Sequence, residues 1–263
     1  MIQIKDDVTN YISLLGRQDE PDKPPRLEEI YILSNEIDQE KISHDFSLIP
    51  PVPNSCHIGF SSWHNFNLMT LRNSSRAIIA DCNLGNTFFM KKSIELLTKH
   101  SSRESFTEAM EVFVENAQKE KTLRFSAYSP KFSSIKASEL VRFYFEDPTS
   151  WLGDTKKFEY IRNLACQGKI AVITEGIHNT STFQKIRQIL INHEISIDSL
   201  YVSNIGFWIN NQFPQEKPQF RTTIEALSER NTLIIDAKTD RGFGELHQRF
   251  TVGPPKDQNY FFS

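Results

Sequence analysis

Apolar positions along the chain follow two alternating rhythms. Short continuous runs, Cys56-His57-Ile58-Gly59-Phe60, Ala77-Ile78-Ile79-Ala80, Ile170-Ala171-Val172-Ile173-Thr174, Leu200-Tyr201-Val202 and Leu233-Ile234-Ile235, have the form of strands covered on both faces. Between them apolar residues recur at helical spacing: Met90, Ile94 and Leu97; Phe106, Met110, Phe113 and Ala117; Phe158, Ile161 and Leu164; Phe183, Ile186, Ile189 and Leu190. The pattern also predicts helices over about 65–71 and 223–229, a loop over 213–218 and a helix stop near Gly168. In 123–145, Phe125, Tyr128, Phe132 and Phe143 to Phe145 favour strands, whereas 133–141 fits a helix. Strands alternating with helices predict an α/β fold on a mostly parallel sheet with helices on both faces.

Two proline-rich breaks, residues 19–25 and 49–53, set off an N-terminal extension, 1–53, packed on a single domain over 54–263. Within the extension, 27–33 and 37–48 fit short helices or an edge strand. A chain of 263 residues, 38% hydrophobic and with 20 Phe, can bury one substantial core, so disorder throughout is excluded. The formal charge of -3 and the scattering of Lys and Arg argue against nucleic-acid or anionic-membrane partners. No apolar run approaches the length of a membrane span, and the first eleven residues are too polar for a secretory signal. The expectation is a soluble protein, cytoplasmic or secreted without a classical signal peptide. Cys56, Cys82 and Cys166 stand at wide spacings without a C-x-x-C pair, which predicts buried free thiols and no metal site.

Open α/β sheets bind ligands outside the carboxyl ends of their strands. The residues placed there are Gly59-Phe60-Ser61-Ser62, Asp81-Cys82-Asn83, Thr174-Glu175-Gly176 and Ser203-Asn204. Gly59 closes one strand and Asp81 closes the next, 22 positions on. Nucleotide cofactors use this layout: a glycine admits the backbone to the cofactor, and an acid about twenty residues later accepts the ribose hydroxyls. Ser61 and Ser62 replace a glycine-rich loop, so a dinucleotide pyrophosphate fits poorly, whereas S-adenosylmethionine has no phosphate to accommodate. The alternative for the same residues is a turn at Gly59 and a helix cap at Asp81, shared with Asn83 or Asn86. Glu175 is either a base or a loop cap, and Ser203 and Asn204 either hydrogen-bond a ligand edge or form a turn.

Other chemistries lack their geometry. There is no G-x-S-x-G elbow, H-E-x-x-H helix or Walker loop. His57 and His64 do not have metal-ligand spacing and read as packed or solvent-facing side chains. Trp63, Trp151 and Trp208 read as core or rim residues, with Trp63 near enough to the first loop to be considered as an adenine platform.

Two blocks carry a resemblance: Gly59-Phe60-Ser61-Ser62-Trp63-His64-Asn65-Phe66 through Ala77-Ile78-Ile79-Ala80-Asp81, and Trp151-Leu152 through Tyr201-Val202-Ser203-Asn204-Ile205. In order and spacing, over about half the chain, they resemble a bacterial family of proteins with a class I methyltransferase-like Rossmann fold. The resemblance implies that Gly59, Asn65 and Asp81 line a cofactor pocket, that Glu175 replaces an aspartate, and that Ser203 and Asn204 face the same cleft. Ser61 departs from a frequent glycine, and His64 from a frequent glutamine. The expected function is S-adenosylmethionine binding, with methyl transfer to an unspecified substrate; cofactor contacts fall to Gly59, Ser61, Ser62, Asn65, Asp81, Ser203 and Asn204, and catalysis to Glu175. The alternative is a non-catalytic module or secreted effector that engages a protein partner through Phe143 to Phe145 or Phe207-Trp208. A nicotinamide-dependent reductase is disfavoured by the scarcity of loop glycines and the lack of a Tyr-x-x-x-Lys pair.

Overall fold

The computed structural model describes residues 7–16, 29–30, 32–33, 36–37, 39–125, 136–238, 246–257 and 259–262; the break at 19–25 and the residues Tyr128 and Phe132 lie outside them. In chain order the strands are β1 (Glu29–Ile30), β2 (Glu36–Ile37), β3 (Ser55–Phe60), β4 (Arg76–Asp81), β5 (Arg124–Phe125), β6 (Ile170–Thr174), β7 (Ser196–Ser203), β8 (Leu233–Lys238) and β9 (Leu246–Val252). The helices are α1 (Asp7–Ser13), α2 (Gln39–Ser47), α3 (His64–Arg72), α4 (Leu84–Lys99), α5 (Arg103–Lys119), α6 (Ala137–Glu146), α7 (Thr155–Cys166), α8 (Thr180–Asn192), α9 (Ile205–Gln212) and α10 (Lys217–Leu227).

Seven strands form the main sheet in the order β2-β9-β8-β7-β3-β4-β6. The pairs from β6 through β8 are all parallel, as the continuous apolar runs require. Ile58, Ile78, Ile79, Leu200 and Ile234 are buried, each worth roughly 1.5–3 kcal/mol relative to exposure. One face packs Ala77, Ile79 and Val172 against Trp63, Phe66 and Trp151; the other packs Ile58, Ile78 and Leu200 against Phe183, Phe220 and Ile224. Helices therefore cover both faces. The chain leaves β3 for β4 and β6 on one side, then crosses back to place β7 and β8 on the other. Strand order thus reverses between β3 and β7, the place where this architecture opens a crevice.

Local signals explain the ends of several elements. Ser102 and Asp154 cap α5 and α7 by accepting from Ser105 and Lys157 amides. Gly168, at φ 67°, ends α7 in the left-handed conformation that the sequence predicts there.

The sheet is mostly parallel, as the sequence predicts, with β9 antiparallel to β8 and β2 parallel to β9. A short connection suits an antiparallel pair, whereas a parallel crossover needs a dozen or more residues. In β9 buried Leu246 and Gln248 flank exposed His247, so it lacks the continuous apolar run of its neighbours. Several expectations are corrected. Phe143 to Phe145 lie in helix α6, where Leu140, Val141 and Tyr144 turn inward at helical spacing. The loop expected over 213–218 is instead a 3-10 turn, Pro214–Glu216, that runs into α10, with Pro218 in the first helical turn where proline costs no hydrogen bond. Cys82 is exposed and Cys166 half-buried, and only Cys56 is buried as expected. From the N-terminal segment, β2 joins the sheet, α1 packs on β6, and α2 packs on α3 and β9.

Candidate functional site

A cavity of about 570 Å³ opens at the carboxyl ends of β3, β4, β6 and β7, within the usual range for small-molecule sites. Six residues predicted for the site line it: Ser61, Ser62, Asp81, Glu175, Ser203 and Asn204. Gly59 and Asn65 do not.

Those two form the frame behind the first loop. Asn65 is fully buried, and its amide nitrogen donates to the carbonyls of Phe60 and Ser62, 2.9 Å each. Its oxygen must therefore face His57 Nε2, at 3.0 Å, so His57 donates from Nε2 and accepts from Ser199 at Nδ1, 2.8 Å away. Burial pushes the His57 ring down to about 4 and keeps it neutral. A Cβ on Gly59 would fall on the Asn65 side chain. This glycine is needed for close packing rather than for approach to a ligand, and Asn65 braces the turn instead of touching the cavity. Ser61 then adopts φ 79° and Ser203 φ 47°, left-handed conformations on the two sides of the switch point. In L-residues these cost about 1–2 kcal/mol.

At the end of β4, Asp81 accepts from the Asn83 amide at 2.8 Å and from Asn86 Nδ2 at 2.5 Å, while Asn83 caps α4 through the Asn86 amide. The turn fixes the carboxylate plane, and the half-buried side chain lines the cavity. Asn83 rather than Asp81 therefore caps α4, while Asp81 braces the turn and lines the cavity. Glu175 is 4% exposed; it accepts from the Gly176 amide (2.9 Å), Asn179 Nδ2 (2.8 Å) and Thr182 Oγ1 (3.2 Å). Its bonds tie the turn after β6 to the start of α8, the geometry of a loop cap.

Beneath the cavity lies a cluster that no sequence signal identifies. Glu36, on the two-residue strand β2, is buried, and its Oε1 accepts from Tyr201 and from Ser203, the latter at 2.9 Å. Its Oε2 accepts from Gln248 Nε2 at 2.7 Å and lies 3.3 Å from His64 Nε2. Burial raises the Glu36 carboxyl to about 7, against the lowering effect of the Tyr201 and Ser203 hydroxyls. Burial likewise lowers His64 to about 4. Tyr201, Ser203 and His64 all line the cavity, so a single shell of side chains separates it from Glu36. Two residues of an edge strand carry no periodicity, and Gln248 lies on the strand that the pattern does not reveal.

Trp63 is fully buried among Phe89, Phe106, Tyr144 and Trp151 and donates to Ser93 Oγ, so it is core and not an adenine platform. Trp208 and Phe213 supply aromatic surface to the cavity instead. Phe145 packs under Arg103, and Phe143 is 40% exposed. Among the described residues there is no group of three or more His, Cys, Asp or Glu side chains arranged to hold a metal, and no helix long and apolar enough to cross a membrane. The described lining contains Asp81, Glu175 and Glu216 but neither Lys nor Arg.

A family model described as "Domain of unknown function (DUF7790)" matches residues 31–261, and the chain belongs to that family. The match begins before β2 and so includes Glu36 with the rest of the cavity. No curated protein matches the chain.

Proposed function

We propose that this member of the DUF7790 family binds S-adenosylmethionine in the switch-point cleft, on a Rossmann-like fold of the methyltransferase type, and transfers its methyl group to a substrate still to be identified. The observation that carries this reading is the cavity itself: it lies where strand order reverses, has Asp81 on the strand next to the first turn, and is lined by carboxylates without Lys or Arg among its described residues. A pyrophosphate would face this lining without a counter-charge. A sulfonium cation is suited to it. In this reading the Ser61-Ser62 turn before α3 takes the ligand's carboxylate, Asp81 the ribose hydroxyls, and Trp208 or Phe213 the adenine. Methyl transfer requires mainly an in-line approach of the nucleophile to the sulfonium carbon, and positioning supplies much of such catalysis.

Titration calorimetry with S-adenosylmethionine on the wild type and Asp81→Ala tests the reading. The expected result is saturable binding that Asp81→Ala weakens at least tenfold, as expected when one charge-assisted hydrogen bond is lost. Absence of heat from folded wild type at millimolar ligand would sink it.

A further inference from the structure

Glu36 occupies a position that binding alone does not explain. Its carboxyl is held from β7 by Tyr201 and Ser203, from β9 by Gln248 and from α3 by His64. Asp236 on β8, paired with Arg249 of β9 at 2.8 Å, contributes a further nearby charge. Three of these partners, Tyr201, Ser203 and His64, also line the cavity. A charge placed there acts on the carboxyl across a short, poorly hydrated path, where electrostatic interactions are stronger than in water.

We propose that Glu36 makes the cleft selective for a positively charged ligand, releasing its proton to solvent as a cation such as the sulfonium of S-adenosylmethionine seats against Tyr201 and Ser203. This inference rests on the binding reading above and adds to it the charge of the ligand and the group that senses it.

The hydrogen-bond network accommodates both protonation states. With Glu36 protonated, Oε2 donates to His64 Nε2 and the imidazole proton sits on Nδ1, a buried atom with no hydrogen-bond partner among the described residues. With Glu36 ionised, the imidazole proton stays on Nδ1 while His64 Nε2 accepts from Gln248 Nε2 at 2.8 Å, and the Tyr201 and Ser203 hydroxyls and the Gln248 amide stabilise the carboxylate. The second state holds one proton fewer, which leaves to solvent. The ring stays neutral in both, in keeping with the depression of His64 to about 4. Because burial holds Glu36 at about 7, the exchange falls near neutral pH. A unit positive charge about 6 Å away, at an effective dielectric near 20, lowers a carboxyl by about two pH units.

The test compares S-adenosylmethionine with S-adenosylhomocysteine, which keeps the adenosine and amino-acid parts but has no sulfonium charge. Calorimetry at pH 7 in buffers of differing ionisation enthalpy counts protons released on binding. The charged ligand is expected to release about half a proton more than the neutral one, and its affinity relative to the neutral one to fall about 50-fold between pH 8 and pH 5. In Glu36→Gln, checked for folding by circular dichroism, both ligands still bind, but the excess proton and the pH dependence of the ratio vanish. Tyr201→Phe removes one hydrogen bond to the ionised form and moves the midpoint of the ratio to higher pH, providing a second readout if Glu36→Gln does not fold. Equal proton counts for the two ligands in the wild type, or an excess that survives Glu36→Gln, would overturn the inference while leaving the binding reading intact. Failure of both ligands to bind folded wild type would overturn both.

Discussion

The two ends of β7 each bury an acid that ties the N-terminal segment to the sheet, and they do so by opposite means. At the amino end Asp198 meets Arg72, Oδ2 accepting from Nε and Oδ1 from Nη2, both at 2.7 Å. The Arg72 fork also donates to the carbonyls of Phe46, Ile49 and Pro50, and Asp198 accepts from the Val52 amide. Asp198 is the additional residue at a shift of register between β3 and β7, which turns its side chain toward α3. At the carboxyl end Glu36 is held by the neutral donors Tyr201, Ser203 and Gln248 beneath the cavity. A matched pair of charges has one protonation pattern and serves as an anchor. A buried carboxyl held by hydroxyl and amide donors and raised to about 7 can gain or lose its proton near neutral pH.

If Arg72 is an anchor, removing it should produce the largest effect. Arg72→Met leaves the Asp198 carboxylate buried without its partner and several carbonyls without donors, and is expected to cost about 3–5 kcal/mol, read from urea unfolding. Molecules that remain folded should bind the cleft ligand as the wild type does, because the pair lies at the far end of the sheet. A loss of less than about 1 kcal/mol would mean that this end is as adjustable as the other.

Glu36 should affect stability through pH. Its carboxyl rises from 4.5 in the unfolded chain to about 7 in the folded one. Below pH 4.5 both states are protonated and the contribution is complete; between 4.5 and 7 the unfolded chain loses the proton first, and roughly 3 kcal/mol of stability is lost as pH rises. His57 and His64 act in the opposite sense: held neutral down to about 4, they stabilise above pH 6.5, and that stability is lost as pH falls. They are present in both wild type and Glu36→Gln, so the difference between the two proteins reports the carboxyl together with its coupling to His64. That difference is expected to shift by roughly 3 kcal/mol in disfavour of the wild type between pH 4.5 and pH 7.5. A constant difference would place Glu36 with Asp198 as an anchor.

The contrast also explains what the sequence made legible. Long apolar runs identify β3, β4 and β6, and helical spacing locates α4, α5, α7 and α8, because each element buries enough side chains to impose a period. Strand ends then locate Asp81, Glu175, Ser203 and Asn204 on the cavity. Glu36 and Gln248 escape because a two-residue edge strand and an antiparallel neighbour have no run to read, and their partnership spans most of the chain. Gly59 and Asn65 are found in the sequence but in another role, since position along the chain does not tell a residue that touches a ligand from one that supports the loop. Gly59→Ala sharpens that distinction. By forcing Asn65 out of its bonds it is expected to cost about 1–3 kcal/mol in thermal unfolding, whereas a glycine that only admits a ligand would change affinity and leave stability almost untouched.

The smallest effect concerns Ser61. Ser61 stands where the resembling family often has glycine, and it holds φ at 79°, the conformation glycine adopts without strain. The turn therefore takes a glycine-like path at a cost in strain, and Ser61→Gly should remove about 1–2 kcal/mol of it. Against that gain stands the greater freedom of glycine in the unfolded chain, roughly 0.5–1 kcal/mol. The net expectation is a stabilisation of about 0–1.5 kcal/mol by urea titration, with cleft affinity unchanged. If Ser61→Gly destabilises instead, the hydroxyl makes a contribution larger than the strain, and the serine, not the shape of the turn, is what this loop presents to the cavity.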